Sequence, residues 1–185
     1  MDLINKQTIS DLLTEDELKL YSITVYPFNL SILHKALMAK LQEDPDYVVW
    51  APLVYYKCLQ YIKDDKSPLA MHPHRVYINN KGDIISGSVK GLKELSKIPI
   101  NDYLYTAITR DKRQFNVMVH RAVACTFIPV DPSLGPAHPN HLQVNHIDGI
   151  KINCDVGNLE WCTQLGNMAH ATRLGLRNVS KKQGK

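Results

Sequence analysis

Between Val144 and Gly175 the chain reads VNHIDGIKINCDVGNLEWCTQLGNMAHATRLG, a stretch dense in polar side chains able to do chemistry. Asn145 and His146 are adjacent, Asn158 follows His146 by twelve residues, and Asn167 and His170 lie three apart. A histidine that is neutral near pH 7 can take a proton from water. Amide oxygens suit a hard cation such as Mg2+, which keeps several waters and accepts few protein ligands. A cation held this way can polarise a phosphoryl group and stabilise a leaving alkoxide. Phosphodiester hydrolysis is the chemistry these residue types fit, with Asn158 able to hydrogen-bond the loop that carries the base.

Local signals predict how the stretch is built. Gln143–Ile147 reads as a strand ending at the turn dipeptide Asp148-Gly149, and Asn158–Cys162 as a second strand with Leu159 and Trp161 alternating. Asp148 is expected to form the turn rather than bind anything. Thr163 is expected to cap a helix over about Gln164–Leu174 that Gly175 closes. On that helix Asn167 and His170 share a face, with the small Ala171 beside them. If the face packs against the end of the first strand, Asn145, His146, Asn167 and His170 converge. Without such convergence the same stretch is a small structural ββα unit with polar turns.

The preceding chain supplies further elements. Thr14 and Glu17 form a capping box for a short helix within residues 1–20, and Ser22–Phe28 reads as a strand or extended lead-in. Leu30, Leu33, Leu37 and Leu41 predict a helix over about 30–41. Pro52 is expected to open a helix carrying Val54, Cys58 and Tyr61, its aromatic neighbours packing in the core rather than stacking on bases. Asp64–Pro68 reads as a boundary. Val76–Ile85 then predicts a hairpin turning at Asn80–Asp83, followed by a polar loop over 86–97. A second hairpin, Tyr103–Val119, turns through Arg110, Asp111, Lys112 and Arg113, a cationic tip suited to phosphates or a DNA groove. Val119, Val123 and Phe127 predict a short helix with one buried face, beside which Arg121 and a structural His120 fall.

With 44% hydrophobic residues the 185-residue chain is globular, and no apolar run approaches the ~18–20 residues that span a bilayer. MDLINKQTISDLL lacks the basic start and apolar core of a secretory signal. Cys58, Cys125, Cys154 and Cys162 form no C-x-x-C pair and are expected to be buried free thiols in a reduced, cytoplasmic protein, in the host cell if phage-encoded. The net charge of +4 is unevenly spread. Residues 1–70 carry 7 Lys, no Arg and 10 acids, whereas residues 71–185 carry 15 Lys or Arg against 8 acids and hold all six arginines. A polyanionic partner for the second part follows. The assigned contacts are Arg110, Lys112, Arg113, Arg121, Arg177, Lys181 and Lys182.

Five blocks stand in order along the chain: VHRAVA, FIP, VNHIDG, NLEWCT and NMAHA. They resemble the HNH endonuclease family of the ββα-metal superfamily, in particular its phage- and intron-encoded homing-type members, over about Tyr103–Gly175. The resemblance implies an HNH ββα-metal core (119–175) in an α+β chain, which the local signals extend with a mainly helical N-terminal module of unknown role (1–70), a β-hairpin region (71–118) and a basic tail (176–185). It also implies a DNA endonuclease using one divalent metal ion, Mg2+ with Mn2+ as the alternative, acting on double-stranded DNA and leaving 5′-phosphate and 3′-hydroxyl ends. By position His146 would be the general base, Asn158 the residue that orients it, Asn167 a metal ligand on the helix, and His170 an accessory contact. Asn145 occupies the place where many relatives have a ligating Asp, so metal affinity should be weaker and lean more on bound phosphate. The competing expectations are a DNA-binding protein of this fold without cleavage, and a non-specific phage nuclease; a monomer is favoured, with no membrane partner.

Overall fold

The computed structural model of the chain describes residues 6–23, 30–56, 70–71, 75–110, 112–134 and 139–176. Two short helices, α1 (Ile9–Leu12) and α2 (Glu15–Ile23), precede the longer α3 (Leu30–Glu43). The capping box at α2 forms as expected: Thr14 N–H donates to the Glu17 carboxylate at 2.9 Å, and Glu17 N–H donates to Thr14 Oγ1 at 3.3 Å. Ser22 and Ile23, read from sequence as extended, end this helix, and the remainder of that segment lies outside the described residues. Along α3 the leucine stripe buries Leu33 and Leu37 completely.

The helix expected from Pro52 is not formed. Trp50–Pro52 (β1) and Tyr55–Tyr56 (β2) are strands; Cys58 and Tyr61 lie outside the described residues. Val49, Ala51, Leu53, Val54, Tyr55 and Tyr56 are all buried, a run with no solvent-facing stripe to sustain an amphipathic helix. Pro52 sits opposite Tyr77 on an edge strand, where a missing N–H is tolerated. β3 (Ala70–Met71) pairs with β2.

The first expected hairpin is present as β4 (Val76–Asn79) and β5 (Ile84–Ser88), joined with β6 (Gly91–Glu94) in a four-stranded sheet of order β1-β4-β5-β6. The loop expected over 86–97 instead contains β6, because β5 continues to Ser88 and turns back on itself. A second, three-stranded sheet follows, β7 (Lys97–Ile100), β8 (Tyr103–Arg110) and β9 (Arg113–Met118), with Arg110 facing Arg113 at the hairpin tip.

α4 (Val119–Phe127) is the pillar of the molecule. All nine of its residues are buried, not one face as its spacing suggests. It packs on β2, β4, β8, β9 and α3, and on the C-terminal unit formed by β10 (Gln143–His146), β11 (Leu159–Cys162) and α5 (Gln164–Arg173). One apolar cluster takes Leu33 and Leu37 from α3, Ile78 and Ile84 from the first hairpin, Phe127 from α4 and Trp161 from β11, so it draws on both sides of residue 70. The architecture is α+β, with a ββα unit closing the described chain. Among the described residues no helix is long and apolar enough to cross a membrane.

The tip of the β4–β5 hairpin is wedged against this unit. Gly82 has φ +88°, and a Cβ there would stand 2.9 Å from Val119 Cγ1 and 3.0 Å from the Cys154 Cβ. Beside it, Asn80 accepts from Val156 N–H at 2.9 Å. Gly82→Ala is expected to lower stability by about 2 kcal/mol or more, combining left-handed backbone strain with overpacking. Urea unfolding checks this; a midpoint equal to wild type would contradict it.

Candidate active site

β10 and β11 pair antiparallel with Asn145 opposite Glu160 and His146 opposite Leu159. The chain leaving His146 is held by a compact polar knot. Gly149 (φ +76°) donates its N–H to the His146 carbonyl at 3.0 Å, and Ile147 N–H donates to the Asn158 carbonyl at 2.8 Å. Asn158 Oδ1 accepts from Asp148 N–H at 3.0 Å, while its Nδ2 donates to Asp148 Oδ1 at 2.9 Å and to the Asn153 carbonyl at 3.1 Å. Asp148 also accepts from Asn153 Nδ2 at 2.7 Å and from Ile150 N–H at 2.8 Å. Asp148 is thus a turn former, and Asn158 grips the loop that follows His146.

α5 is capped by Thr163, whose hydroxyl accepts from Gly166 N–H at 3.1 Å, and Gly175 beyond its end has φ +69°. Asn167 Nδ2 donates to Gln143 Oε1 at 2.5 Å, which seats the helix on β10. The four groups expected to converge do so: Asn145, His146, Asn167 and His170 line one cleft of about 420 Å³, together with Tyr103 and Lys151. Sequence reading passed over the last two. Lys151 lies just past the Asp148-Gly149 turn, where its charge was a usable signal; its ammonium is 5.0 Å from the Tyr103 ring centre and 3.2 Å from Asp102. Tyr103 carried no signal beyond opening β8.

His146 is 6% exposed, and its ring lies 4.9 Å from that of His120 and 6.0 Å from that of Tyr103. Its Nε2 is buried with no hydrogen-bond partner. Burial pushes its pKa down to about 4, against the Asp148 carboxylate, which favours the charged form, while Lys151 reinforces the lowering. The imidazole is therefore neutral at pH 7, with a ring nitrogen whose lone pair or proton is uncommitted. His120 is buried too, and burial first, then His146 and Arg121, hold its pKa near 3. It is a core histidine, as the sequence suggested.

Arg121 is not a DNA contact. It is 2% exposed, donating through Nε to the Tyr56 carbonyl, through Nη1 to Leu142 at 2.9 Å and through Nη2 to Pro139 at 2.5 Å, with the guanidinium over the Trp161 ring. Three backbone carbonyls compensate a buried charge that phosphate cannot reach. Lys112 and Arg113 are exposed at the β8–β9 tip with Arg110 in the same turn, whereas Arg177, Lys181 and Lys182 lie outside the described residues.

Among the described residues no group of three or more His, Cys, Asp or Glu could hold a metal. The cleft instead offers amide oxygens. Asn145 Nδ2 donates to Glu160 Oε1 at 2.7 Å, and Asn167 Nδ2 is taken by Gln143, so each amide keeps its Oδ1 for a ligand. This donor set fits a hard, largely hydrated divalent ion and not zinc.

Residues 133–169 match the family model described as HNH endonuclease. The match covers Asn145, His146, Asn158 and Asn167 and ends one residue before His170. The chain is 31% identical over 111 residues to an uncharacterized HNH endonuclease of Acanthamoeba polyphaga mimivirus, covering 60% of this chain and 32% of that protein. It is 40% identical over 103 residues to a protein named as an SPbeta prophage-derived putative HNH homing endonuclease of Bacillus subtilis (strain 168), covering 54% of each. The chain thus spans a third to a half of the length of these relatives. A solved structure of DNA binding and cleavage by the HNH homing endonuclease I-HmuI aligns with 60% of this chain and 59% of its own, at 29% identity and a TM-score of 0.47. The resemblance to the HNH endonucleases read from the five blocks is upheld, and it falls on the cleft.

Two outcomes follow. Arg121→Met is expected to destabilise by about 3 kcal/mol or more, since it strands three buried carbonyls, while leaving the salt dependence of DNA binding unchanged. A shallower salt slope without loss of stability would restore Arg121 to the DNA surface. His34, whose Nδ1 donates to the Phe127 carbonyl at 3.1 Å, is also lowered by burial, like His120. Both pKa values lie below the ordinary 6.5, so the unfolded chain binds more protons as pH falls below that value. Stability is full above about 6.5 and is lost on acidification, by at most about 1.4 kcal/mol per pH unit per histidine. Melting curves at pH 7.5 and 5.5 should differ less for His120→Leu than for wild type; an equal difference would remove His120 from the account.

Proposed function

We propose that the chain is a metal-dependent DNA endonuclease of the homing or nicking type that hydrolyses phosphodiester bonds in the 145–170 cleft. The observation that carries this reading is His146: a buried, neutral imidazole with an unpartnered Nε2, on a residue that lines the same cleft as Asn145 and Asn167. In the reaction His146 takes a proton from a water as that water's oxygen bonds to phosphorus and the bond to the 3′ oxygen breaks, the departing 3′ oxygen taking a proton from solvent, which leaves 5′-phosphate and 3′-hydroxyl ends. Asn158 keeps His146 aimed by pinning the loop after it, a positioning role. Asn145 and Asn167 would hold one divalent ion, Mg2+ or Mn2+, which when bound neutralises charge building on the phosphoryl and leaving oxygens. His170 and Lys151, both lining the cleft, would meet phosphate.

Double-stranded DNA is supported by the second hairpin. Tyr103 lines the cleft while the same strand ends seven residues away at Arg110, about 24 Å at strand rise. Lys112 and Arg113 at that tip would thus grip phosphates most of a helical turn from the cut. The hairpins of 71–118 would bind DNA around the 119–175 core, with the 176–185 tail adding cations; residues 1–70 have no assigned contact. The chain is taken to act as a monomer. Among the described residues Cys125, Cys154 and Cys162 are buried free thiols, which suits a reducing compartment.

Supercoiled plasmid with Mg2+ or Mn2+ should convert to open-circle or linear DNA, and not in EDTA. His146→Ala should reduce the rate by ~10²–10⁴-fold, the usual contribution of a positioned base, with DNA binding retained. Binding should also weaken steeply as salt rises. Binding without conversion across several metals would instead identify a non-cleaving DNA-binding protein, and scattered cut positions a non-specific nuclease.

A further inference from the structure

Glu160 is absent from every role assigned above, yet it touches the site's weakest ligand. It lies directly across the ribbon from Asn145, and its Oε1 accepts from Asn145 Nδ2 at 2.7 Å. A carboxylate only accepts hydrogen bonds, so this contact admits one of the two amide orientations: NH2 toward Glu160, Oδ1 away from it. Asn145 is 5% exposed, so its amide has little freedom apart from that flip. An amide donating to an anion is also polarised, its oxygen becoming the more negative end. The charge that Asn145 lacks therefore stands one hydrogen bond behind it.

We propose that Glu160 is a positioning residue for the divalent cation: it holds Asn145 with Oδ1 presented to the cleft and supplies, through that amide, the negative charge of the site. This inference rests on the metal-site reading above. A carboxylate at position 145 would reverse the logic, because Glu160 would then face a like charge with no proton between them. Glu160 should help the cation only while residue 145 is an amide.

Mn2+ binding to the full-length chain without DNA, read by electron paramagnetic resonance of the free ion, tests this. Glu160→Ala is expected to weaken Mn2+ binding by roughly tenfold or more, as loss of an outer partner of a metal ligand commonly does. Glu160→Gln, which can still accept the bond but lacks the charge, should fall between, with all melting temperatures near wild type because Glu160 is exposed. In the Asn145→Asp background, Glu160→Ala should leave binding unchanged or tighten it. Wild-type affinity in Glu160→Ala, or an equal loss in both backgrounds, would overturn the proposal. If Asn145→Ala abolishes binding while Glu160→Ala does not, only this inference falls. If Asn145→Ala binds as wild type, the metal-site reading falls with it.

Discussion

A buried guanidinium joins the parts of this molecule. Arg121 reaches from α4 to the carbonyl of Tyr56 in the N-terminal part, to Pro139 and Leu142 ahead of β10, and lies over Trp161 of β11. A charge in this setting is tolerated only when its donors are satisfied, and removing one side leaves the other stranded. The contact therefore ties three segments distant in sequence, and the strand carrying Asn145 and His146 starts one residue after Leu142. Placement of the cleft against α4 follows from that tie together with the Trp161 Nε1 bond to the Ile128 carbonyl at 2.9 Å.

Given that frame, the cleft is arranged by amides. Asn158 fixes the turn, Asn153 closes it, and Asn145 and Asn167 each commit their NH2 to a neighbour. Fixed donors leave acceptors at defined places, and burial keeps the imidazole beside them neutral even with the Asp148 carboxylate nearby. In the proposed reaction an anionic substrate would meet Lys112 and Arg113 at the hairpin tip and Lys151 in the cleft.

What could be read from sequence was what local signals specify. The Asp148-Gly149 turn, the Thr163 cap, the alternation of Leu159 and Trp161 and the three-residue spacing of Asn167 and His170 each act within a few residues, and the ββα unit came out where they put it. Arg121 could not be read this way. Beside a hydrophobic stripe it looks like a solvated cation, and only carbonyls 18, 21 and 65 residues away decide otherwise. The segment from Trp50 was misread for a related reason: its spacing suits a helix, but pairing with β4 and burial on both faces override propensity. Glu160 was invisible because its meaning depends on cross-strand register, which spacing alone does not reveal.

The central claim is that His146 and the two amide ligands form a hydrolytic site. Cleavage of an end-labelled duplex in Mg2+, with product ends identified by ligation and polymerase extension, tests it most directly. The account predicts discrete cuts bearing 5′-phosphate and 3′-hydroxyl termini, lost in His146→Ala and in Asn167→Ala. The same cuts from His146→Ala, or termini bearing a 3′-phosphate, would contradict it.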